Sequence, residues 1–194
     1  MERPRERADA ARNRARVLAA AERLLLEGDG REPTMEQIAF AAGVGKGTLY
    51  RRYPDVASIA VALLDEHERV LQDQIVRGAP PLGPGAPPAQ RLAAFFRAMV
   101  DLLERHGHLA LAAETGARRY TVGAYVAWET HVTVLLAEAG LGDRSALAHA
   151  LLAPLSPDVF AHQRASGCTA EEIADDLELL ASRLLTGRRG TGTR

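Results

Sequence analysis

The sequence is poor in several things at once. Its 194 residues include one cysteine (Cys168), one tryptophan, one lysine (Lys46) and only 5% aromatic residues. A lone cysteine excludes an internal disulfide framework and fits a reducing, cytoplasmic setting. No uncharged run approaches the roughly 20 residues that cross a bilayer. The arginine-rich start is not followed by an apolar stretch and small-residue cleavage site, so no secretory signal is expected. No alternating apolar pattern between turn signals occurs, which argues against a sheet. Net charge is nearly absent, at −1 overall, but unevenly spread: residues 1–54 carry +3 and residues 55–194 carry −4. That asymmetry is modest, because phosphate binding needs local geometry as well as charge.

What is present is helical periodicity, so the chain reads as all-α. Residues 1–11 show no periodicity and are expected to form a flexible arm. From Arg12 a first helix places Val17, Leu18, Ala21, Leu24 and Leu25 on one face, with Arg14, Arg16, Glu22 and Arg23 opposite, until Gly28-Asp29-Gly30 stops it. Thr34 and Gln37 have capping-box spacing at the head of a second helix, with Ile38, Ala39 and Ala42 inward. Gly43-Val44-Gly45 turns the chain into a third helix, about 46–53, where Leu49 and Tyr53 share the core side. A linking helix is expected over 55–78. The stretch 79–88 lies in a segment holding five of the ten prolines and is a loop. Helices then follow at about 89–104, 109–114, 120–139 and 144–153. A short one is framed by Ser156 and Pro157, and a last runs over about 169–185 with Thr169 and Glu172 in capping-box spacing. Residues 89–186 thus form a second, larger domain, and 187–194 a disordered tail.

The third helix carries the chemistry. With Leu49 and Tyr53 inward, Lys46, Thr48, Tyr50, Arg51 and Arg52 face outward. A short cationic helix behind a glycine turn is what major-groove docking requires. Lys46 can reach a guanine edge or a phosphate, Gly47 permits close approach, Thr48 and Tyr50 offer hydroxyls, and Arg51 and Arg52 clamp phosphates or read bases. A nucleotide phosphate loop over the same residues fails, because Gly47 stands where Ser or Thr is needed and no strand precedes it.

In the order and spacing of T-M-E-Q-I-A-F-A-A-G-V (34–44) and K-G-T-L-Y-R-R-Y-P (46–54), behind an apolar first helix, residues 12 to about 64 resemble the N-terminal domain of the tetracycline-repressor (TetR) family of bacterial transcriptional regulators. The resemblance implies Thr34, Lys46, Gly47, Thr48, Tyr50, Arg51 and Arg52 as DNA contacts, Thr34 at a backbone phosphate. It implies a cytoplasmic, sequence-specific DNA-binding regulator, a repressor released from a palindromic double-stranded operator by a hydrophobic small-molecule effector. One departure is visible: the family commonly has a lysine just after the recognition helix, and here the turn reads Pro54-Asp55-Val56.

For the larger domain the family implies a ligand cavity and a dimer interface. Residues combining bulk with a polar tip are pocket candidates: Phe95, Phe96, Met99, Tyr120, Tyr125, Trp128 and His131, with Glu114 or Glu129 as charge partners. The same residues serve equally well as ordinary core. A two-fold dimer would place two recognition helices on a palindrome. Its interface candidates are Leu147 and Leu151 (with Ala146, Ala150 and Leu155) and Ile173, Leu177, Leu180 and Leu184 (with Leu185), a pattern that core packing within one subunit would also use. His106 and His108 lack ligand spacing, so no metal is expected. No nucleophile elbow, paired-carboxylate or glycine-rich cofactor motif appears, so neither enzyme activity nor a cofactor is expected. The rival reading is a small-molecule-binding or enzymatic helical protein whose helix-turn-helix is vestigial.

Overall fold

The structure is a computed structural model that describes residues 4–27, 32–113 and 123–186. Every regular element among them is helical: α1 (Pro4–Glu27), α2 (Met35–Ala42), α3 (Lys46–Arg52), α4 (Val56–Arg77), α5 (Pro88–Ala113), α6 (Ala124–Glu138), α7 (Ser145–Leu152), α8 (Pro157–Ala165) and α9 (Ala170–Thr186), with a 3₁₀ turn at Ala153–Leu155. The chain divides into two compact units, Met1–Asp65 and Glu66–Arg194, with the division falling inside α4. The helix treated in the sequence as a separate link therefore contributes its first half to one unit and its second half to the other.

In the first unit α1 starts at Pro4, so residues 4–11 of the expected flexible arm are helical. Proline suits the first helical position, and Arg, Glu and Ala form helix without an apolar stripe. The expected Gly28-Asp29-Gly30 stop lies outside the described residues, as do Glu114, Tyr120 and the tail 187–194. Val17, Leu18 and Ala21 of α1, Ile38, Ala39 and Ala42 of α2, and Leu49 and Tyr53 are all buried. Ala39 is small enough to let helices cross closely.

In the second unit α9 lies along α5, and the α5 and α9 side chains anticipated as stripes make one core. Two corrections to the sequence reading follow. The expected break between helices 89–104 and 109–114 is absent, and α5 runs unbroken through Gly107 to Ala113. A single glycine costs a helix only about 1 kcal/mol relative to alanine, and His106, which interrupts the apolar pattern, is buried with its ring stacked on His67 at 3.8 Å. Leu151, Ile173 and Leu177, taken from the sequence as dimer-interface residues, are buried within the subunit at 3%, 5% and 6% exposure. They pack against the Phe95, Phe96 and Val100 core and are already covered before any partner arrives. Leu147 and Leu184 are only partly buried, and Leu180 is 43% exposed.

Ion pairs fix the helix registers of this unit. Arg97 of α5 pairs with Asp175 (2.6 Å) and Glu178 of α9, and Arg164 of α8 donates two hydrogen bonds to Glu104 (3.0 and 2.9 Å) and one to the Cys168 carbonyl (2.7 Å). The head of α9 carries the expected capping box: the Thr169 N–H donates to Glu172 Oε2 at 2.7 Å and the Glu172 N–H to Thr169 Oγ1 at 3.1 Å. Ser156 precedes α8 as expected, but its hydroxyl donates backward to the Ala153 carbonyl instead of capping the helix.

Candidate nucleic-acid interface

Three local devices hold α3 on the first unit. The capping box of α2 is complete: the Thr34 N–H donates to Gln37 Oε1 at 2.7 Å, and the Gln37 N–H donates to Thr34 Oγ1 at 3.2 Å. Gly43 then closes α2 in the left-handed region (φ 60°, ψ 40°), where glycine carries no steric penalty. Finally, Arg16 of α1 donates from Nη2 to the Gly43 carbonyl at 3.0 Å. A Cβ on Gly43 would lie 2.4 Å from that same Nη2. The turn is thus clamped from outside by an arginine that the sequence pattern assigns to solvent.

With Leu49 and Tyr53 buried, the outer face of α3 divides into two sides set by helical spacing. On one side, four residues apart, are Lys46 and Tyr50. Both converge on Glu36 of α2: Lys46 Nζ lies 3.6 Å from Glu36 Oε1, and the Tyr50 hydroxyl donates to the same oxygen at 3.3 Å. A hydrogen bond from backbone, and then Lys46 and Tyr50, hold the Glu36 carboxyl below its usual range. On the other side are Thr48, Arg51 and Arg52. They line a groove of about 450 Å³ shared with Asn13 and Arg14 of α1. Arg14 reaches the Tyr53 hydroxyl at 3.4 Å, and the Arg52 guanidinium lies 5.9 Å from the Tyr53 ring centroid. Between the two sides sits Gly47, where an added Cβ would meet nothing within 4 Å. All of Thr34, Lys46, Gly47, Thr48, Tyr50, Arg51 and Arg52 are exposed.

The Pro54-Asp55-Val56 departure also has a local purpose. The Ser58 N–H donates to Asp55 Oδ1 and its hydroxyl to the Asp55 carbonyl, each at 2.7 Å, so Asp55 caps the start of α4.

Residues 17–63 match the family described as bacterial regulatory proteins, tetR family. Over those residues the chain is similar to the N-terminal helix-turn-helix domain of that family. No curated protein sequence matches it. Among solved structures, TetR-family folds cover nearly all of it. A TetR-family regulator from Syntrophomonas wolfei is 16% identical, with TM-score 0.65 over 93% of this chain and 98% of that one. The FadR repressor of Thermus thermophilus, solved with lauroyl-CoA, is 21% identical, with TM-score 0.63 over 93% and 97%. FadR of Bacillus halodurans, a fatty acid degradation regulator, is 17% identical, with TM-score 0.62 over 90% and 99%. These likenesses show the fold, an N-terminal helix-turn-helix followed by a helical C-terminal unit.

Of the pocket residues named from the sequence, the second unit brings four together. Phe95 lies 6.0 Å from Phe96, 5.9 Å from Trp128 and 5.2 Å edge-on from His131, measured between ring centroids. Met99 is buried in the same region of α5. Tyr125 stands apart, with its hydroxyl 2.9 Å from His149 Nδ1, and His149 Nε2 in turn lies 3.4 Å from Glu129. Burial, and then the charge of Arg91, lower the His131 pKa to about 4, so the ring is neutral at neutral pH. No helix among the described residues is long and apolar enough to cross a membrane.

Proposed function

We propose that the protein represses transcription as a homodimer on a palindromic operator and is released when a hydrophobic small molecule binds its second unit. The observation that carries this reading is the two-sided outer face of α3, with Lys46 and Tyr50 along one edge, Thr48, Arg51 and Arg52 along the other and a bare Gly47 between. That arrangement supports Lys46 and the two arginines as groove and phosphate contacts, with Asn13 and Arg14 extending the cationic edge onto α1. Thr34, exposed at the start of α2, supplies a further backbone contact. Leu147, Leu180 and Leu184 are the interface candidates that remain outward, and a four-helix pairing of α7 and α9 with their copies would cover them. Because α4 contributes residues to both units, a shift of its second half on effector binding is the route by which the spacing of two recognition helices would change. FadR structures recur among the neighbours, one of them with lauroyl-CoA, which makes acyl compounds the first effector class to test.

The test is fluorescence anisotropy with DNA from the protein's own upstream region, over a salt series and with unrelated DNA as competitor. Sequence-selective binding that weakens steeply with salt and saturates at an even number of subunits per site is expected. Weak binding indifferent to sequence, across fragments selected from the whole genome, would sink the reading in favour of a helical ligand-binding protein with a vestigial motif.

A further inference from the structure

The arginines described in the second unit differ in how fully their N–H groups are met. Arg97 holds two carboxylates and Arg164 a carboxylate and a carbonyl. Arg91, near the start of the same α5 helix, has an ion pair with Glu138 but leaves its Nε unmet. Its side chain is only 12% exposed, its Nη1 lies 3.6 Å from Glu138, beyond hydrogen-bond length, and its Nε is buried with no hydrogen-bond partner among the described residues. His131 is 8% exposed, and its Nε2 is likewise buried and without a partner. The two belong to one place. Arg91 and Phe95 are four residues apart on one face of α5, His131 packs edge-on against Phe95, and the Arg91 charge is felt by the His131 ring.

Buried donors left unmade are unfavourable, and native structures rarely keep two together without a use. A guanidinium N–H prefers an anionic acceptor, and a neutral imidazole can donate a second hydrogen bond to it. The wall beside them is aromatic, Phe95 against Trp128. We infer that Arg91 and His131 are the polar end of the effector site, and that the effector is an amphipathic carboxylate whose acid group takes the Arg91 N–H and His131 Nε2 while its apolar chain inserts beside Phe95 and Trp128. This rests on the effector-released regulator proposed above. Phe95 is fully buried, so a ligand reaching these nitrogens must part the core. A ligand that binds only the parted form shifts the protein toward it, which is what release from an operator requires.

Trp128 is the chain's single tryptophan and lies on this wall, so its fluorescence reports the site. Full-length protein would be titrated with dodecanoate, dodecanol and lauroyl-CoA, each below its micelle threshold. The expected result is dodecanoate binding about tenfold or more tighter than dodecanol, with Arg91→Gln reducing the acid to the level of the alcohol and leaving the alcohol unchanged. Equal affinity for acid and alcohol in the wild type, or no binding of either, overturns the inference without recourse to a variant. A thioester that outcompetes the acid overturns the carboxylate assignment, as does an acid preference that survives Arg91→Gln. Adding operator DNA separates this inference from the one it rests on. An acid that binds as expected but leaves DNA bound refutes effector release alone, whereas release by acid and alcohol alike refutes the Arg91–His131 site alone.

Discussion

The outer face of α3 and the buried end of α5 hold similar chemistry in opposite surroundings. Lys46 and Tyr50 share the Glu36 carboxylate at 3.6 and 3.3 Å in water, whereas in the core Arg91, paired with Glu138 through Nη1, keeps an unmet Nε and His131 an unmet Nε2. In water, each contact can be exchanged for another at little cost, so the Glu36 pairings hold side chains near a position without binding them to it. Inside the core no solvent replaces a missing partner, so the same unmade bond becomes a standing free-energy penalty. The first arrangement suits a surface that must hand its cations to an incoming polyanion. The second suits a site that is completed by something entering.

The largest effect is expected from removing the exposed cations altogether. Lys46→Ala with Arg51→Ala should weaken operator binding about a hundredfold or more and lower the salt slope by about 2, with the thermal stability of the protein unchanged, as read by anisotropy and a melting curve. A comparable loss from changing Arg97 and Arg164 would break the comparison, because those arginines serve the second unit.

Next comes the pH dependence of the buried group. The folded pKa of His131 is lowered to about 4, below its ordinary 6.5, so the unfolded chain takes up the proton first. Stability is therefore fully present above pH 6.5 and is lost as pH falls from there toward 4, by about 1.4 kcal/mol per pH unit. Urea unfolding at pH 7 and pH 5 should differ by roughly 2 kcal/mol more in the wild type than in His131→Gln. An identical pH dependence in the two would show that the ring is solvated.

The smallest effect belongs to Glu36. Glu36→Gln keeps an acceptor for Tyr50 but removes the charge facing Lys46, and should strengthen binding to unrelated DNA a few-fold while leaving the preference for operator intact. Glu36→Ala removes both contacts and should erode that preference as well. If the two variants behave alike, Glu36 acts only as a charge.

Where local structure depended on neighbours in sequence, it was legible. The Thr34–Gln37 box, the Gly43 turn and the inward Leu49 and Tyr53 are all set by spacings of three or four residues, and the structure has each of them. Arg16, Arg14 and Glu36 were missed as supports of α3 and its turn because what they touch lies 27, 39 and 14 residues away. A polar residue on a helix looks solvent-bound until its partner is known. In the second unit the apolar stripes of α7 and α9 were visible, but periodicity says only that a face is covered and not by which chain. The core took Leu151, Ile173 and Leu177 and left Leu180 outward. His106 disguised α5 for a related reason, since a buried histidine stacked on His67 looks in sequence like the end of an apolar face.

Gly47 gives the domain an unwritten letter. A Cβ added there would meet no atom of a neighbouring element within 4 Å, and alanine in the first turn of α3 would restrict the unfolded chain more than glycine does. Most positions that change what a protein reads also change whether it folds. Here the two are uncoupled, so the vocabulary of this helix can be enlarged one residue at a time, on a face whose edges are already fixed by Lys46 and Arg51, while the scaffold beneath remains the same.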